Sequence, residues 1–183
     1  MAEPTLISEN GHQAAAPDPE LSWVRSAMRG DSDAFQRLYR RYRLVVRSVV
    51  LANTGWQDAD DLTQDVFLRA WERLAQLRDP LRFRPWLLQC ARNRCADHHR
   101  KPHLSASSPE HGAPMPPRSE ALEVLRAIHR LSPTYRETLV MRLVEGMSGP
   151  EIAARTGLTP RSVRVNLHRG MKKLRRELGV GDP

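Results

Sequence analysis

The 183-residue chain contains 29 Lys or Arg residues against 21 Asp or Glu, so its formal net charge is +8 at pH 7. This excess of positive charge predicts an anionic partner that is bound in a salt-dependent way, and nucleic acid is the first candidate. The longest apolar run, residues 49–52, is far too short to span a bilayer, and the first residues lack the order of a secretory signal, so we expect a cytoplasmic protein without membrane insertion.

The first segment with helical periodicity begins near Pro19. Residues 1–18 have neither a helical nor a strand period, and we interpret them as a mobile tail. The apolar residues that follow predict a short helix that Gly30 ends, and then an amphipathic helix of about five turns from Phe35 to Val50.

An acidic helix is predicted at 58–74. Its first turn carries Asp58, Asp60 and Asp61, whose negative charges interact favourably with the helix dipole. Asp60, Asp61 and Asp65 also form a DDxxxD pattern, which in an enzyme can hold magnesium for a diphosphate substrate. Such an enzyme needs a second carboxylate cluster and a larger apolar cavity, and the sequence predicts neither, so we expect no catalytic residues, no metal site and no cofactor.

A basic helix is predicted from Phe83 to Lys101, after a short loop at Gln76–Arg82. Asp97 is its single acidic residue, and Phe83 and Trp86 stand at its start among arginines. This combination suits single-stranded DNA, because phosphates need positive charge and unstacked bases need an aromatic partner. The alternative is that Phe83 and Trp86 are core residues that anchor the helix, and the sequence leaves both open.

The two cysteines of the chain, Cys90 and Cys95, lie in this basic helix close to His98 and His99. Residues five apart on a helix point about 140° away from each other, so the two thiols diverge. Free Cys often packs as a small hydrophobic residue, and we favour buried packing over a zinc or redox site.

A proline-rich stretch separates two helical parts of the chain. Five prolines between 102 and 118, with several serines and almost no large apolar side chain, predict a linker. Helical periods resume at 119–131 and continue to the end of the chain. We therefore expect an all-α fold of two small helical domains, with a tail at 1–18, an N-terminal domain at 19–101, the linker at 102–118 and a C-terminal domain at 119–179.

The C-terminal domain ends in a predicted helix-turn-helix. Ser148 and Glu151 have capping-box spacing at the start of its first helix, and Gly157 can end that helix in the left-handed conformation. Leu158 is expected to plug the turn, and Thr159 is expected to cap the second helix.

The second helix of this motif is apolar on one side and cationic on the other. The outer side comprises Arg161, Arg164, Val165, His168, Arg169 and Lys172. The first turns of a recognition helix contact base edges and phosphates, so this face predicts duplex DNA binding. Val165 can cover a thymine methyl group, although a single exposed valine is also common. The alternative is an ordinary solvated helix, which would interleave Glu with Lys.

This order of an acidic helix, a basic helix, a Pro-rich linker and a terminal helix-turn-helix resembles the bacterial sigma factors of the extracytoplasmic-function (ECF) group. The resemblance is carried by DADDLTQDVFLRAW (58–71), FRPWLLQCARNRCADHHRK (83–101) and LSPTYRETLVMRLVEGMSGPEIAARTGLTPRSVRVNLHRGMKKLRREL (131–178). It implies a subunit that binds core RNA polymerase, directs it to specific promoters and helps to open the DNA. An anti-sigma factor is a further candidate partner. A stand-alone helix-turn-helix regulator is the main alternative function.

The resemblance also implies roles for three sets of residues. The set on the surface that docks on the β′ clamp helices of core polymerase is Asp61, Gln64, Asp65 and Arg69. The set along the unpaired minus-ten strand, with a base flipped near the loop Gln76–Arg82, is Arg78, Arg82, Trp86, Arg92, Asn93, Arg94, His98, His99 and Arg100. The set that contacts the minus-thirty-five element as duplex is Arg161, Ser162, Arg164, Val165, His168, Arg169 and Lys172.

Three features depart from the family pattern. The loop before the basic helix is short, and Cys90 and Cys95 replace the more usual aliphatic residues. Gly170 interrupts the recognition helix at an expected cost of about 1 kcal/mol. These departures leave the promoter sequence unpredicted.

Overall fold

Helices form the regular structure of the described residues, 19–100 and 119–180, in the computed structural model. The eight α-helices of these ranges are α1 (Pro19–Met28), α2 (Ser32–Thr54), α3 (Ala59–Arg73), α4 (Phe83–Arg100), α5 (Glu120–Arg130), α6 (Pro133–Leu139), α7 (Gly149–Thr156) and α8 (Pro160–Glu177). Two 3₁₀ turns, Leu74–Gln76 and Pro80–Arg82, join α3 to α4, and a π-helical turn, Val140–Val144, extends α6. The expected all-α fold is confirmed, while the predicted tail and linker lie outside the described residues. Over these two ranges, no helix has the length and apolar character needed to cross a bilayer.

Helix α2 is the central element of the N-terminal domain. It begins where the Asp31 carboxylate accepts hydrogen bonds from the amides of Asp33 and Ala34, both at 3.0 Å. These bonds satisfy amides that a helix start leaves unpaired. The helix ends at Gly55, whose φ of 87° few other residues adopt. Between these ends α2 packs against α1, α3 and α4 of its own domain and against α5 of the C-terminal domain.

The two domains share one apolar core. Val46 and Val50 of α2 and Leu87 of α4 are completely buried, and Ile128 and Leu139 of the C-terminal domain belong to the same cluster. Helical periodicity identifies which side of a helix is buried, but it does not identify the helix that covers it. The contact between the domains is therefore a finding of the structure alone.

The helix-turn-helix has the ends expected from its sequence. Ser148 and Glu151 form a complete capping box, in which the Glu151 carboxylate accepts a hydrogen bond from the Ser148 amide at 2.7 Å. Gly157 ends α7 in the left-handed conformation, and Thr159 caps α8. The expectation for Leu158 is wrong: this residue is 36% exposed, because the core of the motif is filled by residues of α7, α8 and the π-helical turn.

Gly170 is buried where α8 packs on α6, and α8 runs through it without a break. A Cβ atom at this position would lie 3.2 Å from Leu139 Cδ1 and 3.5 Å from Tyr135 Cβ. The expected interruption of the recognition helix is therefore wrong. The missing side chain allows the two helices to approach closely, which offsets the low helix propensity of glycine.

Replacing Gly170 with valine should destabilise the chain by about 1–3 kcal/mol, because the added methyl groups must displace the completely buried Leu139 side chain. Urea denaturation of the full chain measures this change. Gly149→Ala is the control, since a Cβ atom there meets nothing within 4 Å and stability should change by less than about 0.5 kcal/mol. Wild-type stability in Gly170→Val would contradict the close packing of α6 on α8.

Candidate nucleic-acid interface

The residues predicted to dock on core polymerase lie along the outer side of α3. Asp61 and Gln64 are exposed, whereas Asp65 and Arg69 are half-buried. The Asp65 carboxylate accepts a hydrogen bond from Arg69 Nε at 3.2 Å and pairs with the guanidinium of Arg94 on α4. The structure thus brings the four residues onto one side of the helix, but it also ties Asp65 to the basic helix.

The charge of Asp65 is set by two opposing effects. Burial alone would raise the pKa of this carboxyl, but hydrogen bonds from Arg94 and Arg69 outweigh burial and lower the pKa below its usual value. Asp65 is therefore ionised at neutral pH and holds α3 to α4 as a charged partner.

A groove beside these residues, between α2 and α3, was not predicted. Its volume is about 410 Å³, and its aromatic lining includes Phe35, Tyr39, Phe67 and Trp71. Leu68, which also lines the groove, is 63% exposed. Exposed apolar surface of this kind marks sites of protein contact. The buried side of α3 carries Leu62, Val66 and Ala70, and Leu68 is an apolar residue that lies outside it. This position is the signal in the sequence that points to the groove.

Two of the three aspartates of the DDxxxD pattern on α3 are paired with arginines, and the third, Asp61, is exposed. Asp60 accepts a hydrogen bond from Arg47 Nε at 2.6 Å, and Asp65 is held by Arg69 and Arg94. Within residues 19–100 and 119–180, no three His, Cys, Asp or Glu side chains are grouped so that they could hold a metal ion. The diphosphate-enzyme hypothesis gains no support from this geometry.

The residues predicted along the minus-ten strand divide into two groups by exposure. The exposed group, on the loop before α4 and on the outer side and end of α4, is Arg78, Arg82, Asn93, His99 and Arg100. The second group is Arg92, Arg94 and His98, whose side chains are only 11–16% exposed.

Each side chain of the second group faces a carboxylate. The pairs are Arg92 with Glu145, Arg94 with Asp65, and His98 with Asp58. The carboxylates lie at the start of α3, on α3 and after the π-helical turn, far from α4 in sequence, so the pattern of α4 alone does not predict them. A DNA strand can reach these cations only where its phosphates replace the carboxylates.

The two aromatic residues at the start of α4 have different surroundings. Phe83 is 1% exposed and its ring centroid lies 5.6 Å from that of Tyr42, so the core-anchor interpretation holds for Phe83. Trp86 is half-buried, with its ring centroid 6.0 Å from that of Phe83. Trp86 also lines a cleft of about 930 Å³ between the start of α4 and α7, together with Arg82 and Arg155. It therefore keeps a surface on which a base can stack.

The residues predicted to contact duplex DNA lie on the outer side of α8. The exposed members are Arg161, Arg164, Val165, His168, Arg169 and Lys172. Ser162 differs, because it is half-buried and its amide donates to Thr159 Oγ1 at 3.1 Å as part of the helix cap. The first acidic residue of α8 is Glu177, at its last position, so no carboxylate interrupts the cationic face.

The cysteines of α4 are packed rather than activated. Cys95 is 3% exposed and Cys90 is half-buried. Burial raises the pKa of Cys95 to about 12 and also raises the pKa of Cys90. A raised pKa opposes formation of the thiolate that metal binding and redox chemistry use. Core packing, which the sequence favours, accounts for Cys95.

The C-terminal end of α2 makes polar contacts with the second domain that were not predicted. The Ala52 carbonyl accepts a hydrogen bond from His129 Nδ1 at 3.3 Å, and the Asn53 carbonyl accepts one from Arg136 Nη1 at 3.2 Å. Burial, followed by the charge of Arg136, lowers the pKa of His129, so its ring is neutral at pH 7. These side chains satisfy carbonyls that a helix end leaves unpaired, and they add a polar contact to the shared apolar core.

Comparison with protein families gives two matches. Residues 38–103 match the family described as Sigma-70 region 2, and residues 121–174 match the family described as Sigma-70, region 4. The first segment contains the predicted docking and minus-ten residues, and the second contains α7 and the part of α8 that carries the predicted minus-thirty-five residues.

Individual proteins give consistent similarities. The probable RNA polymerase sigma factor RfaY of Xanthomonas campestris is 33% identical over 168 residues, which cover 83% of this chain but only 42% of RfaY. The ECF RNA polymerase sigma factor BldN of Streptomyces coelicolor is 31% identical over 192 residues, covering 91% of this chain and 70% of BldN. The solved structure of CnrH in complex with the cytosolic domain of CnrY has a TM-score of 0.64 and 26% identity, covering 90% of this chain and 100% of that chain. CnrH is a sigma factor of Cupriavidus metallidurans.

Proposed function

Because the chain belongs to the ECF group of RNA polymerase sigma factors, the subunits that direct RNA polymerase to promoters, we propose that three of its surfaces share this task. The observation that carries the proposal is the occurrence, in one chain, of an acidic exposed side on α3 and an uninterrupted cationic side on α8. The first suits a protein partner and the second suits duplex DNA.

The polymerase surface is proposed on α3 and the groove beside it. Asp61 and Gln64 supply exposed polar groups, and Leu68 with the aromatic groove supplies apolar area that a helix of the partner can cover. The β′ clamp helices of core polymerase are the proposed occupant.

The upstream element is proposed to lie against α8. Arg161, Arg164 and Val165 stand on its first turns, where side chains reach base edges in the major groove. Arg169 and Lys172 lie further along the helix and are placed to contact phosphates. This division predicts that specificity depends on the start of α8 and affinity on its whole length.

The unpaired minus-ten strand is proposed to follow α4. Flipping one base out of the duplex costs a few kcal/mol of free energy, and stacking of that base on an aromatic ring contributes about 1–3 kcal/mol of favourable binding free energy. Trp86 is the proposed ring, and the exposed Arg78 and Arg82 before α4 are proposed to hold the adjoining phosphates. Arg92 and Arg94 are proposed to join the contact after exchange of their present carboxylate partners.

The proposal involves no covalent step, so the chain supplies specificity and strand separation to the enzyme that synthesises RNA. The cytoplasm is the proposed location, because polymerase and promoters are found there. An anti-sigma factor is a proposed further partner, supported by the similarity to CnrH, whose solved structure contains the cytosolic domain of CnrY.

The test is transcription in vitro with purified chain, core polymerase that lacks its own sigma factor, and a pool of promoter templates. The expected result is RNA that starts at defined positions on a subset of templates. A stand-alone helix-turn-helix regulator, which the comparisons do not support, would bind duplex DNA but give no promoter-dependent transcript. Absence of start-site-selective RNA from every template would refute the proposed function.

Replacing the exposed Asp61 with arginine should weaken binding to core polymerase by about 10-fold, because a like charge then faces the surface that the acidic side of α3 complements. Fluorescence anisotropy of the labelled full chain, titrated with core polymerase, measures the affinity. Glu123→Arg makes the same charge change on the exposed side of α5 and should leave the affinity unchanged. Equal affinities of the two variants would remove Asp61 from the docking surface.

A further inference from the structure

Five side chains join the two domains beside the proposed minus-ten surface. This interdomain latch consists of Arg84, Gln89 and Arg92 of α4 with Glu145 and Arg155 of the C-terminal domain. Arg92 Nη1 donates to both carboxylate oxygens of Glu145, and Arg84 Nη2 donates to the Glu145 main-chain oxygen at 2.8 Å. Gln89 Oε1 accepts from Arg92 Nη2 at 2.8 Å and from Arg155 Nη1 at 2.9 Å.

The position of Glu145 depends on the π-helical turn that precedes it. The Glu145 amide donates to the Val140 carbonyl at 3.1 Å, five residues back, and Gly146 then leaves the helix with a φ of 74°. Turns of this kind are rare and occur often at functional sites. Here the turn directs a carboxylate towards α4, where its side chain is only 2% exposed.

The buried carboxylate and Arg92 require each other. A carboxylate removed from water is unfavourable unless a cation and hydrogen bonds compensate it, and Arg92 supplies both. The planar guanidinium binds carboxylates and phosphates through the same pairs of N–H groups. Both terminal nitrogens of Arg92 are occupied, Nη1 by Glu145 and Nη2 by Gln89, so a DNA phosphate can take this place only when Glu145 leaves it.

We infer that Glu145 is an internal competitor of promoter DNA, whose carboxylate occupies on Arg92 the place that a phosphate of the minus-ten strand takes when the domains separate. The inference rests on the proposed function, since it needs Arg92 to contact that strand.

The cleft beside the latch supports the same conclusion. Arg82 and Trp86 line one wall, and Met147, Ala154 and Arg155 of the C-terminal domain line the other. In the closed arrangement, in which the latch joins the two domains, the second domain thus forms the opposite wall of the cleft that the Trp86 ring lines. The proposed polymerase surface on α3 lies elsewhere, so the closed chain can still dock on polymerase.

The first experiment measures binding of the full chain to a fluorescent single-stranded DNA of mixed sequence, with Glu145→Gln compared against Glu137→Gln. Both variants lose one negative charge in the C-terminal domain, but Glu137 is exposed and lies outside the latch. If about nine molecules in ten are in the closed form, only about one in ten can bind the probe. Opening all of them therefore raises the apparent affinity by at most about 10-fold. We expect Glu145→Gln to bind about 5- to 10-fold more tightly than Glu137→Gln, and equal affinities would overturn the inference.

A second experiment does not depend on the stability of a Glu145 variant. The chain for this experiment carries Cys90→Ser and Cys95→Ala, which remove the natural thiols, and Gln89→Cys and Arg155→Cys, which add two thiols across the latch. A short bismaleimide joins the two new thiols. The same chain blocked with N-ethylmaleimide is the control. The cross-linked form should bind the single-stranded probe at least about 10-fold more weakly than the blocked form. Equal binding of the two forms would overturn the inference.

Transcription with core polymerase, run in parallel, distinguishes failure of the latch from failure of the proposed function. Start-site-selective RNA from the wild type, combined with equal probe binding by cross-linked and blocked forms, refutes the latch alone. No such RNA from the wild type on any template refutes the proposed function, whatever the latch variants do.

Discussion

Replacing Phe83 with alanine is expected to lower the free energy of unfolding of the full chain by about 3–5 kcal/mol, because the ring is 1% exposed and its removal leaves a cavity in the core. The ring packs edge-on against Tyr42 of α2 and lies beside Trp86, so it fixes the start of α4 against the central helix. Chemical denaturation followed by circular dichroism measures the change.

Two comparisons show whether the loss comes from the core. Leu81→Ala removes an apolar side chain two residues away that is 75% exposed, and it should change stability by less than about 0.5 kcal/mol. Trp86→Ala removes the proposed stacking surface. It should reduce the free energy of binding to single-stranded DNA by more than it reduces the free energy of unfolding. A Phe83→Ala chain with wild-type stability and weakened DNA binding would instead assign Phe83 to strand capture.

The local features of the fold could be predicted because their causes lie within a few residues of each other. The capping box needs only Ser148 and Glu151, and the left-handed end of α7 needs only Gly157. The cationic side of α8 follows from helical spacing in the same way. These features depend on backbone geometry that neighbouring residues determine, so the sequence pattern was sufficient for them.

The interdomain features could not be predicted because their causes are distant in sequence. Glu145 lies 53 positions from Arg92, and a carboxylate that follows a helix end has the same local pattern whether it is solvated or buried. Gly170 shows the same limit, since its low helix propensity is local but its contact with Leu139 is tertiary. Charge patterns located the cations of α4, but they did not show which of them already had carboxylate partners.

The shared core and the latch together set a requirement for function. Separating the domains exposes apolar side chains of the shared cluster where α5, which carries Ile128, packs on α2, so opening needs a compensating contact. Docking on polymerase and capture of DNA are the proposed sources of that contact, and two linked sites raise each other's effective concentration. The closed form is therefore expected to dominate in the free chain and the open form on the promoter.

Replacing Arg164 with alanine should reduce discrimination of the upstream promoter element by about 5- to 150-fold, which corresponds to the 1–3 kcal/mol of a bidentate contact with one base pair. Arg164 is exposed on the second turn of α8, with Arg161 one turn before it and Val165 beside it. Competition between promoter variants in transcription with core polymerase measures the change, and binding of the variant to core polymerase should equal that of the wild type.

Arg175→Ala is the matched control, because Arg175 is exposed in the last turn of the same helix and lies beyond the turns that reach base edges. This control should leave the preference among promoter variants unchanged. A contact with phosphate rather than a base would give a different result for Arg164→Ala: binding would weaken equally on all sequences and its salt dependence would decrease. That result would move Arg164 from sequence recognition to backbone positioning, and it would leave Arg161 and Val165 as the residues that contact base edges.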